Sequence, residues 1–162
     1  MNRIYLLLGS NLGNSLTQLN KAIDRIEFKI GSVIRKSSIY KTKAWGKTDQ
    51  PDFLNQVVMA DTLLAAEQTM QTILEIESKM GRVRTIKNAP RIIDIDILYF
   101  NKQVINKTNL IIPHPALQLR RFVLIPLNQL SPNFKHPVLN KSNHQLLLKC
   151  PDKLDVKKIK LP

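Results

Sequence analysis

Two aspartates, Asp94 and Asp96, stand two residues apart within "APRIIDIDILYF", residues 89–100. Side chains alternate along an extended strand, so both carboxylates project from one face, roughly 6.6 Å apart. Ile93, Ile95, Ile97 and Tyr99 then share the opposite face, while Leu98 and Phe100 lie beside the acids. Like charges that close repel, and an intervening cation relieves the repulsion. Hard carboxylate oxygens suit magnesium, which keeps waters and shares its shell with phosphates. A solvated strand face is the competing reading, weakened by the apolar neighbours on the same side.

Glu77 is the third acid of interest. At helical spacing it falls at the centre of an apolar face made by Ala66, Met70, Ile73 and Met80. An unpaired acid there is costly or takes up a proton. Two readings follow: Glu77 faces a cleft, holding a positioning arginine or a cation-bound water, or it pairs with a structural arginine or sits at the frayed end of the helix. Arg82, Arg84 and Arg91 bracket the acids, with Lys87 among them, and Arg120 and Arg121 follow. The planar guanidinium fork binds phosphate oxygens through two hydrogen bonds. Acids for a metal beside arginines for phosphate point to phosphoryl transfer from a nucleoside triphosphate. Some of these arginines can instead neutralise the acids with no ligand present. No Gly-rich phosphate loop with a lysine and hydroxyl residue occurs, and "GSNLGN" reads as a strand-to-helix turn. His114, between two prolines, can reach a phosphate, whereas His136 and His144 lack zinc-ligand spacing with it.

These residues need a scaffold. "RIYLLLG" reads as a buried strand, and Leu16, Leu19, Ile23, Ile26 and Ile30 recur at helical spacing. "SVIRKSSIY" and "DFLNQVVMADTL" are strands separated by the polar loop "KTKAWGKTDQP". A second helix runs from about Ala65 to Met80 and stops at Gly81, a suitable left-handed cap. After the aspartate strand come a short strand near Val104, a short helix near Leu117, "FVLIPLNQL", and a basic, Pro-rich ending. Strand, helix, strand, strand, helix, strand is the order of an α+β, ferredoxin-like antiparallel sheet packed with helices on one face. The later segments decorate it.

A chain of 162 residues with 43% hydrophobic content fits one globular domain, 1–162. "IYLLLG" is too short for a signal peptide or membrane span, so a cytoplasmic protein with no membrane partner is expected. The single cysteine excludes an intramolecular disulfide framework, and Cys150, after "LLL", reads as a packed small hydrophobe. The net charge of +13 predicts an anionic partner, for which nucleic acid, nucleotide and phosphorylated metabolite all qualify. Aromatics are only 6% and none alternate with basic residues as a base-stacking platform requires. A basic nucleic-acid-binding domain therefore leaves Asp94, Asp96 and Glu77 without a role. A nuclease or nucleotidyltransferase shares the paired acids.

Read in order, "LLLGSNLGN", "DQPDFLNQVV", "IESKMGRVR", "KNAPRIIDIDIL", "IIPHPAL" and "RRFVLIPL" resemble the 6-hydroxymethyl-7,8-dihydropterin pyrophosphokinase family of folate biosynthesis. The resemblance implies transfer of diphosphate from ATP to the pterin's hydroxymethyl group, with release of AMP. It implies that Asp94 and Asp96 hold two magnesium ions, with Arg82 and Arg91 stabilising phosphate charge in the transition state. Arg84, Arg91, His114 and Arg120 would contact ATP, Glu77 would help form its site, and backbone groups near Ile97 and Ile111 would read adenine. On the pterin side it implies a hydrogen bond from Asn55, a sandwich by Phe53 and Phe122, and backbone contacts at Thr42 and Trp45. A monomer with no nucleic-acid partner is expected, with association to the next folate enzyme left open. The chain departs from the family pattern at Asn88 and Pro115, where aromatics are common, and at Lys43 and Ala44, where prolines are frequent.

Overall fold

The computed structural model describes residues 1–44, 49–83 and 90–161. Strand β1 (Asn2–Ser10) lies near the sheet's centre and is apolar on both faces: Ile4, Leu6 and Leu8 point one way, Tyr5 and Leu7 the other. It pairs antiparallel with β4 (Phe53–Thr62) on one side and with β5 (Asp94–Phe100) on the other. β4 in turn pairs with β2 (Gly31–Lys36) and with β3 (Tyr40–Thr42), so the predicted second strand is two short strands divided at 37–39. In this six-stranded sheet the path β5-β1-β4-β3 ends in a late strand, β8 (Lys157–Lys158), and β2 lies off it beside β4.

Helix α1 (Ser15–Lys29) begins where Asn14 Oδ1 accepts the Thr17 N–H at 3.1 Å, a side-chain cap that satisfies an orphan donor. "GSNLGN" is thus a capped turn, with Gly13 at φ +76°. Leu19, Ala22, Ile23 and Ile26 face the sheet. Helix α2 (Ala66–Lys79) packs on the same face through Ala66, Ile73 and Ile76. These two helices and the sheet enclose the first core, which gives the expected ferredoxin-like α+β arrangement.

The other face is not bare. Helix α3 (Arg121–Leu130) lays Val123, Leu124 and Leu127 against Tyr5, Leu7 and Val57, and α4 (Asn143–Leu148) adds Leu146. Gln129, near the end of α3, accepts the Ser38 N–H at 3.0 Å and the Tyr40 hydroxyl at 2.8 Å, tying the helix to the β2–β3 turn. Cys150 is buried in this second core, as expected of a small hydrophobe. The segments expected to decorate the sheet therefore cover its second face. A two-stranded hairpin of β6 (Ile105–Lys107) and β7 (Leu110–Ile112) stands apart from the main sheet. Among the described residues, no helix is long and apolar enough to cross a membrane.

The aspartate strand corrects one expectation. Its pairing with β1 runs Tyr5 to Tyr99 and then Leu6 to Ile97, so Leu98 is an extra, bulged residue. A bulge reverses the alternation beyond it. Ile93, Ile95 and Ile97 enter the first core as predicted, but Tyr99 turns to the second core and Phe100 to the first. The acids thus share their face with Leu98 and Tyr99, not with Phe100.

Candidate active site

The cleft opens on the second face of the sheet. It takes in about 520 Å³ when the open solvent at its mouth is counted. Asp94, Asp96 and Arg91 line it together with Thr42, Phe53, Asn55, Arg120 and Phe122. These residues come from β3, β4, β5, α3 and the segment before β5, brought together by the sheet order.

Arg82 arrives by way of a helix cap. Gly81, at φ +94°, donates its N–H to Ser78 O, and Arg82 N–H reaches back to Glu77 O, both at 3.0 Å. This is the Schellman arrangement, which satisfies the last carbonyls of α2 and needs a residue tolerant of the left-handed region. It folds Arg82 back over Glu77. One guanidinium nitrogen then donates to Glu77 Oε2 at 2.6 Å and to Asp94 Oδ1 at 2.7 Å. Glu77 Oε2 also accepts the Ile95 N–H at 2.9 Å. The buried acid in the apolar helix face thus fastens α2 to the aspartate strand through Arg82, an arginine partner that both readings of its position share. Burial disfavours the charged Arg82, yet Asp94 and Glu77 outweigh it and raise its proton affinity.

Arg91 donates to the other oxygen, Asp94 Oδ2, at 2.9 Å, and its guanidinium lies 5.4 Å from the Phe53 ring centre. The cation–π distance links the phosphate-binding type of residue to the aromatic wall. Asp96 is differently placed. Burial, with the Asp94 and Glu77 charges adding to it, pushes its carboxyl up to about 7, although 31% of its side-chain surface remains open. His114 Nδ1 accepts the Ala116 N–H at 3.1 Å, so the neutral ring carries its proton on Nε2, which sits 4.0 Å from Asp96 Oδ2. Burial and the Arg120 charge lower His114 to about 4. Its backbone N–H holds Leu98 O at 3.1 Å, fixing the loop against β5, which is the edge strand.

On the remaining wall, Asn55 Nδ2 donates to Thr42 Oγ1 at 2.9 Å, leaving its amide oxygen toward Gly9. A side-chain carbon at Gly9 would stand 3.2 Å from that oxygen and 3.6 Å from Phe53, so glycine gives this wall its room. The Arg120 guanidinium lies 5.9 Å from the Phe122 ring.

Most of the sequence-predicted residues converge. Ile97 places its side chain in the first core, and Ile111 is half exposed on β7, so neither lines the cleft by its side chain. Trp45, Arg84 and Asn88 lie outside the described residues. Sequence reasoning missed Leu7, Gly9 and Lys43 in the lining. It also missed Asn11, which is buried and stitches three segments. Asn11 Oδ1 accepts the Arg91 N–H at 2.9 Å, its amide donates to Gln50 and Pro51, and its N–H reaches Arg91 O. The signal was an asparagine directly after a buried strand, where a capping or clamping amide is common.

Fold and cleft together define an α+β protein with an acid–arginine cluster beside an aromatic small-molecule wall. The sequence profile of the 7,8-dihydro-6-hydroxymethylpterin-pyrophosphokinase family matches residues 5–132, and the chain belongs to that family. It is 39% identical over 141 residues to the 2-amino-4-hydroxy-6-hydroxymethyldihydropteridine pyrophosphokinase of Aquifex aeolicus, covering 87% of this chain and 88% of that protein. A folic acid synthesis protein of Pneumocystis carinii is 40% identical over 139 residues, 86% of this chain, which spans only 19% of that relative's length. The structure superimposes on wild-type Plasmodium falciparum HPPK-DHPS, solved with pterin and p-hydroxybenzoate, with a TM-score of 0.76. The match covers 91% of this chain and 41% of that one at 21% identity, a likeness of fold.

Proposed function

We propose that this chain transfers diphosphate from ATP to 6-hydroxymethyl-7,8-dihydropterin, giving AMP and the pterin diphosphate. The observation that carries the reading is one cleft lined by Asp94, Asp96 and Arg91 as well as Phe53, Asn55 and Phe122. Phosphate chemistry and a flat heterocycle's binding surface share a single space.

The donor set fits divalent cations held with a triphosphate. Among the described residues no group of three or more His, Cys, Asp or Glu forms a closed cage. Two carboxylates that leave most positions to water and phosphate oxygens are what magnesium favours. Burial and the nearby Asp94 and Glu77 charges disfavour the ionised Asp96, a cost that a bound cation would offset. Asp94 and Asp96 would hold the two magnesium ions. When bound, these ions would supply charge neutralisation along the triphosphate.

The remaining work belongs to positioning. The pterin ring lies between Phe53 and Phe122, and the Asn55 amide reads its edge. The hydroxymethyl oxygen forms a bond to the β-phosphorus as the bond from that phosphorus to the bridging oxygen breaks, and AMP leaves with the electron pair. The alcohol's proton passes to solvent. Arg82 and Arg91, now engaged with Asp94, exchange part of that contact for phosphate oxygens as charge builds on the transferring group. Glu77 holds Arg82 in place, and neutral His114 can donate from Nε2 beside the phosphates. Arg120 adds an ATP contact, with adenine read by backbone groups near Ile97 and Ile111, and Thr42 closes the pterin side. The family resemblance would add Arg84 to the ATP contacts and the Trp45 backbone to the pterin side, and both lie outside the described residues.

The relatives named for folic acid synthesis, and the HPPK-DHPS chain of like fold, support an association with a following enzyme of that synthesis. The test of the reaction is AMP formation from ATP and magnesium, with and without the pterin. AMP that appears only with the pterin is expected; AMP formed equally without it, or none from folded protein, would overturn the reading.

A further inference from the structure

The basic C-terminal segment, which lies beyond the family match, touches the cleft's supports at two points. The first is the start of α3. Its N-cap is Arg120, which offers no acceptor side chain for the helix's free N–H groups. Asp152 supplies one from 31 residues away: its Oδ2 accepts the Arg121 N–H at 2.9 Å. The other oxygen, Oδ1, accepts the Leu154 N–H at 2.9 Å, an Asx turn that fixes the carboxylate's own direction. Asp152 is buried and its bond to the Arg121 N–H is partly shielded, so losing the carboxylate leaves that donor with a poorer partner. The residues on either side of Arg121 are Arg120 and Phe122, and both line the cleft.

The second point is the sheet edge. β8 pairs with Lys41 and Tyr40 of β3, and the Ile159 N–H reaches Ile39 O at 3.0 Å. Ile159 also packs against the first core. Directly beyond this paired stretch come Thr42 and Lys43, again residues of the cleft. One segment thus braces α3 and β3, the two elements that carry Phe122 and Thr42.

We propose that Asp152 is a positioning residue for the pterin side of the cleft, acting through the first turn of α3, with β8 as its second anchor on β3. The substrate named here rests on the reading of function above. The brace itself does not, because it predicts backbone order that is measurable with no substrate present.

The experiment compares wild type, Asp152→Ala, Asp152→Asn and Ile159→Pro in the full chain. Asp152→Asn retains an acceptor oxygen and keeps the comparison decisive if Asp152→Ala fails to fold. Amide hydrogen exchange without substrate reads the brace: Asp152→Ala is expected to speed exchange at 121–124, and Ile159→Pro at 39–42. Kinetics read its effect on the site. Asp152→Ala is expected to raise KM for the pterin about five- to tenfold, the scale of a lost helix cap, with kcat changed less. Asp152→Asn is expected to restore most of that loss. A purely structural Asp152 would lower the melting temperature and leave KM of the folded enzyme untouched, and that result would overturn the proposal. Unchanged exchange at 121–124 would overturn it as well, whatever the reaction. An inactive wild type with protected 121–124 amides would count against the reading of function and not against the brace.

Discussion

The two faces of the central sheet are built from the same strands and put to different use. On one, α1 and α2 close over an apolar core in which Ile4, Leu6, Ile73 and Ile93 are fully buried. On the other, α3 and α4 cover only part of the surface, and the remainder is the cleft. Leu7 belongs to both parts of that second face, packed in its core and lining the cleft. The difference shows how a small fold separates stability from chemistry. The closed face carries the larger core, so the open face can hold Asp94, Asp96 and Arg91 in a partly dry setting where charges interact strongly.

The largest test of that division is removal of the acids. Asp94→Ala and Asp96→Ala are each expected to lower kcat by about 10² to 10³ while leaving pterin binding largely intact, measured by AMP formation and pterin titration. Near-wild-type rates in both would mean that the open face does not hold the phosphates.

Next comes a substitution on the closed face. Ile73→Ala should cost about 2–5 kcal/mol of stability by denaturant unfolding, through a cavity among fully buried neighbours. KM values of the folded enzyme should not move. A large change in KM would show that the faces are coupled more tightly than their separate cores imply.

Phe122→Ala is the counterpart on the open face. The ring is only partly buried, so the stability cost is smaller, but the pterin KM should rise about tenfold from the lost stacking contact. If it lowers stability without affecting KM, Phe122 is a packing residue and not part of the pterin wall.

The smallest effect concerns pH. His136 supports the second core: its Nδ1 accepts the Val138 and Leu139 N–H groups, and its ring meets Tyr99 edge-on at 5.8 Å. Burial lowers its proton affinity below the usual histidine value. As pH falls through about 6.5, the unfolded chain takes up a proton that the folded chain resists, so this part of the stability is full above that pH and lost below it. His136→Asn retains an acceptor near Nδ1 and should make the loss between pH 7.5 and 5.5 shallower in urea unfolding. An identical acid dependence would show that His136 contributes nothing to it.

Much of this division was legible in the sequence, and the reasons are local. Leu19, Ile23 and Ile26 at helical spacing marked the closed face, and Gly81 marked the helix end that delivers Arg82. The aspartate pair, Glu77 and the arginines were found because buried charge is costly and must be explained. The bulge at Leu98 was not legible, since its cause is the register with β1 and not the composition of the strand. The second core was missed for a similar reason: "FVLIPLNQL" carries Pro126 within α3, a residue that argues against a helix until the packing around it is seen. Asn11 and Asp152 act over 80 and 31 residues of separation, so no window along the chain contains both partners.

The most direct test of the central claim is a phosphorus-31 NMR record of the reaction with ATP, magnesium and 6-hydroxymethyl-7,8-dihydropterin. Attack at the β-phosphorus predicts AMP and a pterin diphosphate in equal amounts, with no ADP. ADP together with a monophosphorylated pterin would contradict it.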